Sequence, residues 1–271
     1  MVFTIIYFLI AIAASGSIYY FLGLYHEWWW FWVPVIGIPV FYVCAFGLTL
    51  VFCFIVSKMI NINKEQKKPN RFFHFVTMEV NRQLLFFLGV RVKKTGMHGI
   101  SKKGPYMIVY NHISNFDPMV IMTKFKRVIC VTKPENKKAP IAGPFIHKSG
   151  FISINREDDK EGIKAIMTAI DYIEKGYGQI CIAPEGTRSK TLELLPFHPG
   201  AFNIAKRAEV PILCIGIKNT NLIHKNVLKR TTKVHMDVLA LIEPSEFMEL
   251  STLEISNKVH KIYEDYLGEN K

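Results

Sequence analysis

The sequence predicts an α/β fold with a mostly parallel sheet and flanking helices, preceded by an N-terminal two-helix membrane hairpin. Three observations carry that expectation. Residues 2–25 and 28–57 are two apolar runs with only His26 and Glu27 between them. From residue 90 onward, short runs rich in Ile, Val, Cys and aromatics alternate with amphipathic stretches of helical period, the pattern of strands joined through crossover helices. Two polar turns, at 111–117 and 184–189, each follow directly on such an apolar run.

Each N-terminal run is longer than the ~20 residues that cross a hydrocarbon core. Residues 1–57 contain no Lys or Arg, and Glu27 is their only acid. Trp28, Trp29, Trp30 and Trp32 cluster at the break, as aromatic rings do at a membrane interface. Pro34 and Pro39 interrupt the second run early, so a spanning hairpin and one dipping into a single leaflet both fit. A cleaved signal peptide would need a charged leader ahead of the first run, which is absent. Lys58, Lys64, Lys67, Lys68 and Arg71 follow the second run, offset by Glu65. The positive-inside tendency then puts the remaining chain on the cytoplasmic side of the cell membrane.

All 34 basic residues and 21 of the 22 acids lie in 58–271, giving that part a net charge of +13 against +12 for the whole. Beside an apolar leader this points to an anionic membrane surface, where each Lys or Arg contributes about 1 kcal/mol. Nothing in the chain has the form of a nucleic-acid-binding motif. Cys44, Cys53, Cys130, Cys181 and Cys214 are odd in number, scattered and set in apolar runs. They read as small buried hydrophobes, with no metal-ligand spacing and no metal expected.

The predicted organisation is a membrane anchor over 1–57, a basic linker with an interfacial helix over 58–89, and an α/β domain over 90–271. Residues 72–88 place Phe near both ends of a short segment whose polar residues gather at 77–83, consistent with an interfacial helix. Predicted strands are 106–110, 128–132, 151–154, 179–183, 211–217 and 233–241. Predicted helices are 118–125, 160–175, 200–208 and 246–267. Sites in such sheets gather at the carboxyl ends of strands, which is where both polar turns fall.

The first turn is Asn111-His112-Ile113-Ser114-Asn115-Phe116-Asp117. An imidazole, with an ordinary pKa of ~6.5, is largely neutral near neutral pH and suits removal of a proton from an attacking alcohol. A carboxylate on its other nitrogen would fix the tautomer and support the imidazolium. Asp117 offers that, but Asp117-Pro118 is equally the signature of a helix N-cap, and the two roles are compatible. Asn111, Ser114 and Asn115 read as turn residues satisfying backbone. The second turn is Pro184-Glu185-Gly186-Thr187-Arg188-Ser189. Gly186 would let backbone approach a ligand, and Arg188 offers a fork for phosphate oxygens. The alternative is an ordinary turn in which Glu185 and Arg188 form a surface pair.

These blocks, with Gly143-Pro144-Phe145, the segment from Gly150 to Arg156, the segment from Pro196 to Phe202 and Val210-Pro211-Ile212, resemble the motifs of the glycerolipid acyltransferase family. The resemblance covers roughly residues 96–217. It implies that His112 and Asp117 are catalytic, that Lys133 and Arg188 hold a substrate phosphate with Arg156 as a third contact, and that Asn111, Glu185, Gly186 and Thr187 support the motifs. It also implies acyl transfer from acyl-ACP or acyl-CoA to the sn-2 hydroxyl of 1-acyl-glycerol-3-phosphate, giving phosphatidic acid. The acceptor would be a membrane lipid, the thioester a co-substrate, and no cofactor is needed. Alternatives are glycerol-3-phosphate, another lysophospholipid or an amino-acid lipid as acceptor, and a non-catalytic membrane scaffold. A hydrolase would need a Gly-x-Ser-x-Gly elbow or a His-Glu-x-x-His pair, and neither occurs. Two positions depart from the family. Ala183 replaces a usual Phe, which alters the expected pocket wall, and His198 stands where Lys is common, so no third phosphate contact is expected there.

Overall fold

In the computed structural model, which describes residues 2–23, 26, 32–155, 158–189, 191–227 and 229–268, the elements follow in chain order. They are α1 (Val2–Phe21), α2 (Trp32–Met59), α3 (Arg71–Phe87), β1 (Val90–Thr95), β2 (Met107–Tyr110), α4 (Asp117–Lys124), β3 (Val128–Thr132), α5 (Ala142–Lys148), β4 (Ile152–Ser153), α6 (Asp159–Glu174), β5 (Gln179–Ile182), α7 (Asn203–Ala208), β6 (Ile212–Lys218), α8 (Ile223–Asn226), β7 (Thr232–Ile242) and α9 (Thr252–Gly268).

One seven-stranded sheet runs in the order β1-β7-β6-β2-β5-β3-β4. All neighbours are parallel except β6 and β7, which are antiparallel. The fold is therefore the mostly parallel α/β sheet expected, with β7 and its edge neighbour β1 running opposite to the other five strands. Successive side chains of a strand point to opposite faces, and the core divides accordingly. Met107 and Val109 join Ile180, Ile182 and Ile212 under α6, α7 and α9. Ile108 and Tyr110 join Cys181, Leu213 and Val128 under α3 and α4. Both faces are buried, which is why these strands read as near-continuous apolar runs.

α1 and α2 are each long and apolar enough to cross a membrane. They bury few positions, Tyr7, Ala11 and Ser15 on one and Phe46, Cys53 and Ser57 on the other, with Phe46 stacked on Phe87 and Cys53 packed by Val76 and Phe145. They expose Ile5, Phe8, Leu9, Val43, Leu48 and Ile55 outward. Cys44 also faces outward, whereas the other four cysteines are buried as expected. Residues Trp28, Trp29 and Trp30 lie outside the described residues.

The hairpin is fastened to α3 by a polar seam. Glu79, fully buried, accepts the N–H of Phe3 at 3.0 Å and pairs with Arg82. Gln83 donates to Thr4 Oγ1 at 2.8 Å and accepts from the Tyr42 hydroxyl at 2.7 Å. The helix begins at Asn70, whose side chain accepts the N–H groups of Phe72 and Phe73, an N-cap of the ordinary kind. Its other buried residues, among them Met78 and Leu85, enter the core below the sheet, while Phe72, Phe75, Phe86 and Phe87 stay exposed. α3 is thus a joint between hairpin and sheet, and Phe75, Phe86 and Phe87 meet the hairpin rings of Phe3, Tyr42 and Phe46. The basic segment ahead of it lies against the domain: Glu65 pairs with Lys164 at 2.8 Å, and the Lys64 carbonyl accepts from His147 at 2.9 Å.

Elements with no predicted counterpart include β1, α5 and the short α8. β1, Val-Arg-Val-Lys-Lys-Thr, is a charged edge strand, the composition that protects an edge but hides a strand in a sequence. α5 contains a Gly-Pro pair that reads as a loop. Gly143 is required there, because a Cβ would collide with the Lys137 carbonyl.

Candidate active site

The 111–117 turn leaves the carboxyl end of β2 and the 184–189 turn leaves that of its neighbour β5, so the topology brings the two motifs together. His112 Nδ1 lies 2.9 Å from Asp117 Oδ2. The same oxygen accepts the N–H groups of Ile113 and Ser114, each at 2.8 Å. Asp117 Oδ1 accepts the hydroxyl of Thr220. Asp117 is fully buried, while the His112 side chain keeps 20% of its surface exposed.

This corrects the capping alternative. Asp117 is the first residue of α4, Phe116 occupies the cap position, and no side chain caps this helix. The carboxylate turns back instead to satisfy the backbone of the histidine's own loop. Asn111 is likewise more than a turn residue. Its amide donates to the Ile217 carbonyl at 3.0 Å and its oxygen accepts the Ile217 N–H at 2.8 Å. A side chain here continues the ladder between β2 and β6 by one more rung, fixing the start of the His112 loop against β6.

Glu185 is buried, and its oxygens are taken by the N–H of His112 at 2.6 Å and of Leu195 at 3.1 Å. It is therefore no surface partner of Arg188. Burial raises its pKa, against the two N–H groups that favour the carboxylate. Gly186 sits at φ 76°, the left-handed region that favours glycine, and its N–H closes a turn onto the Ala183 carbonyl. The Ser189 N–H then returns to the His112 carbonyl at 2.9 Å, so both sides of the His112 peptide are held by the second motif.

His112 opens into a cavity of about 670 Å³ whose wall includes Lys133, Thr187 and Arg188. Lys133 and Arg188 are exposed there. The cavity extends between α3 and α5 along Val80, Leu84 and Phe145 and reaches Leu50 and Cys53 of α2. A smaller apolar chamber of about 250 Å³ lies across the sheet edge beside α6 and α7, sharing Val131, Ile154, Ile182 and Ala183 with the first. The altered wall expected at Ala183 is thus the partition between two chambers. Arg156 lies outside the described residues. Among the described residues, no cluster of His, Cys, Asp and Glu could hold a metal ion.

The sequence profile of the family described as Acyltransferase matches residues 91–218, the span from β1 to the end of β6 that builds this site. Residues 91–218 are similar to that family over just under half of the chain. The 1-acyl-sn-glycerol-3-phosphate acyltransferase of Saccharomyces cerevisiae is 34% identical over 137 residues, covering 49% of this chain and 45% of that enzyme. A Caenorhabditis elegans protein, acl-1, provisionally named for the same activity, is 29% identical over 82% of this chain and 84% of its own. The fold matches the crystal structure of the 1-acyl-sn-glycerophosphate acyltransferase PlsC of Thermotoga maritima with a TM-score of 0.57. That match has 22% identity and covers 83% of this chain and 88% of the other.

Within this span, Asp117 engages Nδ1 of His112 and leaves Nε2 as the ring nitrogen available for proton exchange. Two contributors were not legible as site residues. Thr220 follows β6, and Tyr263 reaches from α9 between the two central strands. The Tyr263 hydroxyl accepts the Ile215 N–H at 3.0 Å and faces the carbonyls of Val109 at 2.8 Å and Ile215 at 3.1 Å. It ties β2 to β6 where β6 carries an irregularity at Cys214 and Ile215.

Proposed function

We propose that this protein transfers an acyl chain from a thioester to the sn-2 hydroxyl of 1-acyl-glycerol-3-phosphate, forming phosphatidic acid. The observation that carries the reading is the His112–Asp117 pair opening into a largely apolar cavity that also bears Lys133 and Arg188. His112 Nε2 removes the proton of the acceptor hydroxyl as its oxygen attacks the thioester carbonyl, and Asp117 stabilises the imidazolium. Collapse of the tetrahedral adduct breaks the carbon–sulfur bond, and the imidazolium returns the proton to the departing thiolate. Lys133 and Arg188 hold the phosphate so that the hydroxyl meets His112.

The apolar path to Leu50 and Cys53 supports an acceptor that enters with its chain still beside the hairpin. The hairpin anchors the domain on the cytoplasmic face of the cell membrane, where acyl-CoA or acyl-ACP is the donor. The test offers purified full-length protein lysophosphatidic acid and glycerol-3-phosphate in turn, each with both donors. Phosphatidic acid from lysophosphatidic acid is expected. Acylation of glycerol-3-phosphate alone would replace the acceptor, and no transfer with any pair would refute the reading.

A further inference from the structure

We propose that Thr220 is a positioning residue for acyl transfer, acting through Asp117 to hold His112 in register with its substrate. The proposal rests on the catalytic assignment of His112 and Asp117 above. The three donors on Asp117 Oδ2 all come from residues 112–114, five or fewer positions away. They fix the carboxylate within its own loop but give the loop no reference outside itself. Among the described residues, Oδ1 is engaged by a single group, the hydroxyl of a residue 103 positions further along.

Thr220 is itself well placed. It is fully buried, and its hydroxyl forms no other hydrogen bond among the described residues. It begins a short 3-10 turn after Asn219, whose backbone reverses at φ 72° and whose amide donates to the Lys233 carbonyl on β7 at 3.1 Å. β6 is independently bonded to the His112 loop by Asn111 through Ile217. The catalytic loop therefore meets β6 and its exit turn at two places, and only the Thr220 contact falls on a proposed catalytic side chain. A carboxylate engaged at both oxygens cannot swing about the one it offers to histidine. Its plane is set by the sheet, and with it the direction in which Nε2 points. Positioning of this kind is realised in the transition state more than in binding, so its loss lowers kcat rather than raising KM.

A donor series tests this. T220S keeps the hydroxyl, T220C supplies a weak donor, and T220V keeps the shape with none. Turnover by T220S is expected near the parent and by T220V about tenfold to hundredfold lower. T220C should fall between, with KM for both substrates unchanged throughout. If T220V does not fold, the comparison of T220S with T220C carries the test. Equal turnover across the folded series, a fall in T220S as deep as in T220C or T220V, or a change confined to KM would overturn the role. H112A, measured alongside, separates the two levels. Near-parent turnover in H112A would remove the catalytic assignment, whereas an inactive H112A beside a flat series removes Thr220 alone.

Discussion

Glu185 Oε1 accepts the backbone N–H of His112 at 2.6 Å, so the second motif holds the histidine of the first by its main chain. The other oxygen takes the N–H of Leu195. One buried carboxylate thus joins the exits of β2 and β5 and the segment that follows, in a place where burial alone would favour its neutral form. Glu185→Gln keeps one acceptor but turns an NH2 toward the second N–H. Its kcat/KM is expected to fall about tenfold, the scale of one hydrogen bond to a charged group. Glu185→Ala should fall further and unfold at lower temperature. Steady-state rates and thermal unfolding of the pair check this; parent-like turnover in Glu185→Gln would mean that the charge is dispensable.

Asp117→Asn separates structure from catalysis. An amide oxygen at the Oδ2 position can still accept from Ile113, Ser114 and His112, and the NH2 can donate to the Thr220 hydroxyl, which then reverses its role. The local fold should survive with little change in melting temperature. The charge that supports the imidazolium is gone, and turnover should drop by about a hundredfold or more. A variant that melts early and turns over normally once folded would make Asp117 a purely structural residue.

Lys133 and Arg188 approach the same cavity from different elements, one after β3 and the other after β5. If they share the acceptor's phosphate, Lys133→Met and Arg188→Met should each raise KM for lysophosphatidic acid about tenfold or more, with smaller effects on the donor. A lysolipid lacking the phosphate should lose the distinction between parent and variants. Flat acceptor KM in both variants would move the phosphate elsewhere, with Arg156 the first candidate.

The parts of the fold legible in the sequence are those whose cause is local. β2, β5 and β6 are buried on both faces, so their apolar runs stand out, and His112 to Asp117 is a loop that makes most of its own contacts. The hairpin stands out for the same reason, since its chemistry is written in consecutive residues. What was hidden depends on distant partners. β1 exists because β7 offers it an edge, and its apolar signal is confined to Val90 and Val92 beside Arg91, Lys93 and Lys94. Thr220 and Tyr263 act on residues 103 and 154 positions away. Asp117-Pro118 showed the limit from the other side: the dipeptide has the form of a cap, and the carboxylate is drawn instead to the N–H groups of the loop before it.

Acid should loosen the joint between hairpin and sheet. His74 is buried on α3, which also lines the cavity through Thr77, Asn81 and Leu84. Burial, reinforced by Arg127 and offset by a hydrogen bond to the Ser149 backbone, lowers its pKa from 6.5 to about 4. A folded-state value below the unfolded one means that the unfolded chain takes up the proton first. Stability from this group is therefore complete above pH 6.5, declines as pH falls from there toward about 4, and loses nothing more below. The full excursion is worth at most about 3 kcal/mol. His147, also lowered by burial, adds a slope of the same sign. Melting temperature of the full chain in neutral detergent, taken between pH 7.5 and 4.5, should decline less steeply in His74→Gln than in the parent. Identical slopes would show that His74 takes up its proton without disturbing α3, and the acid sensitivity would then have to come from elsewhere.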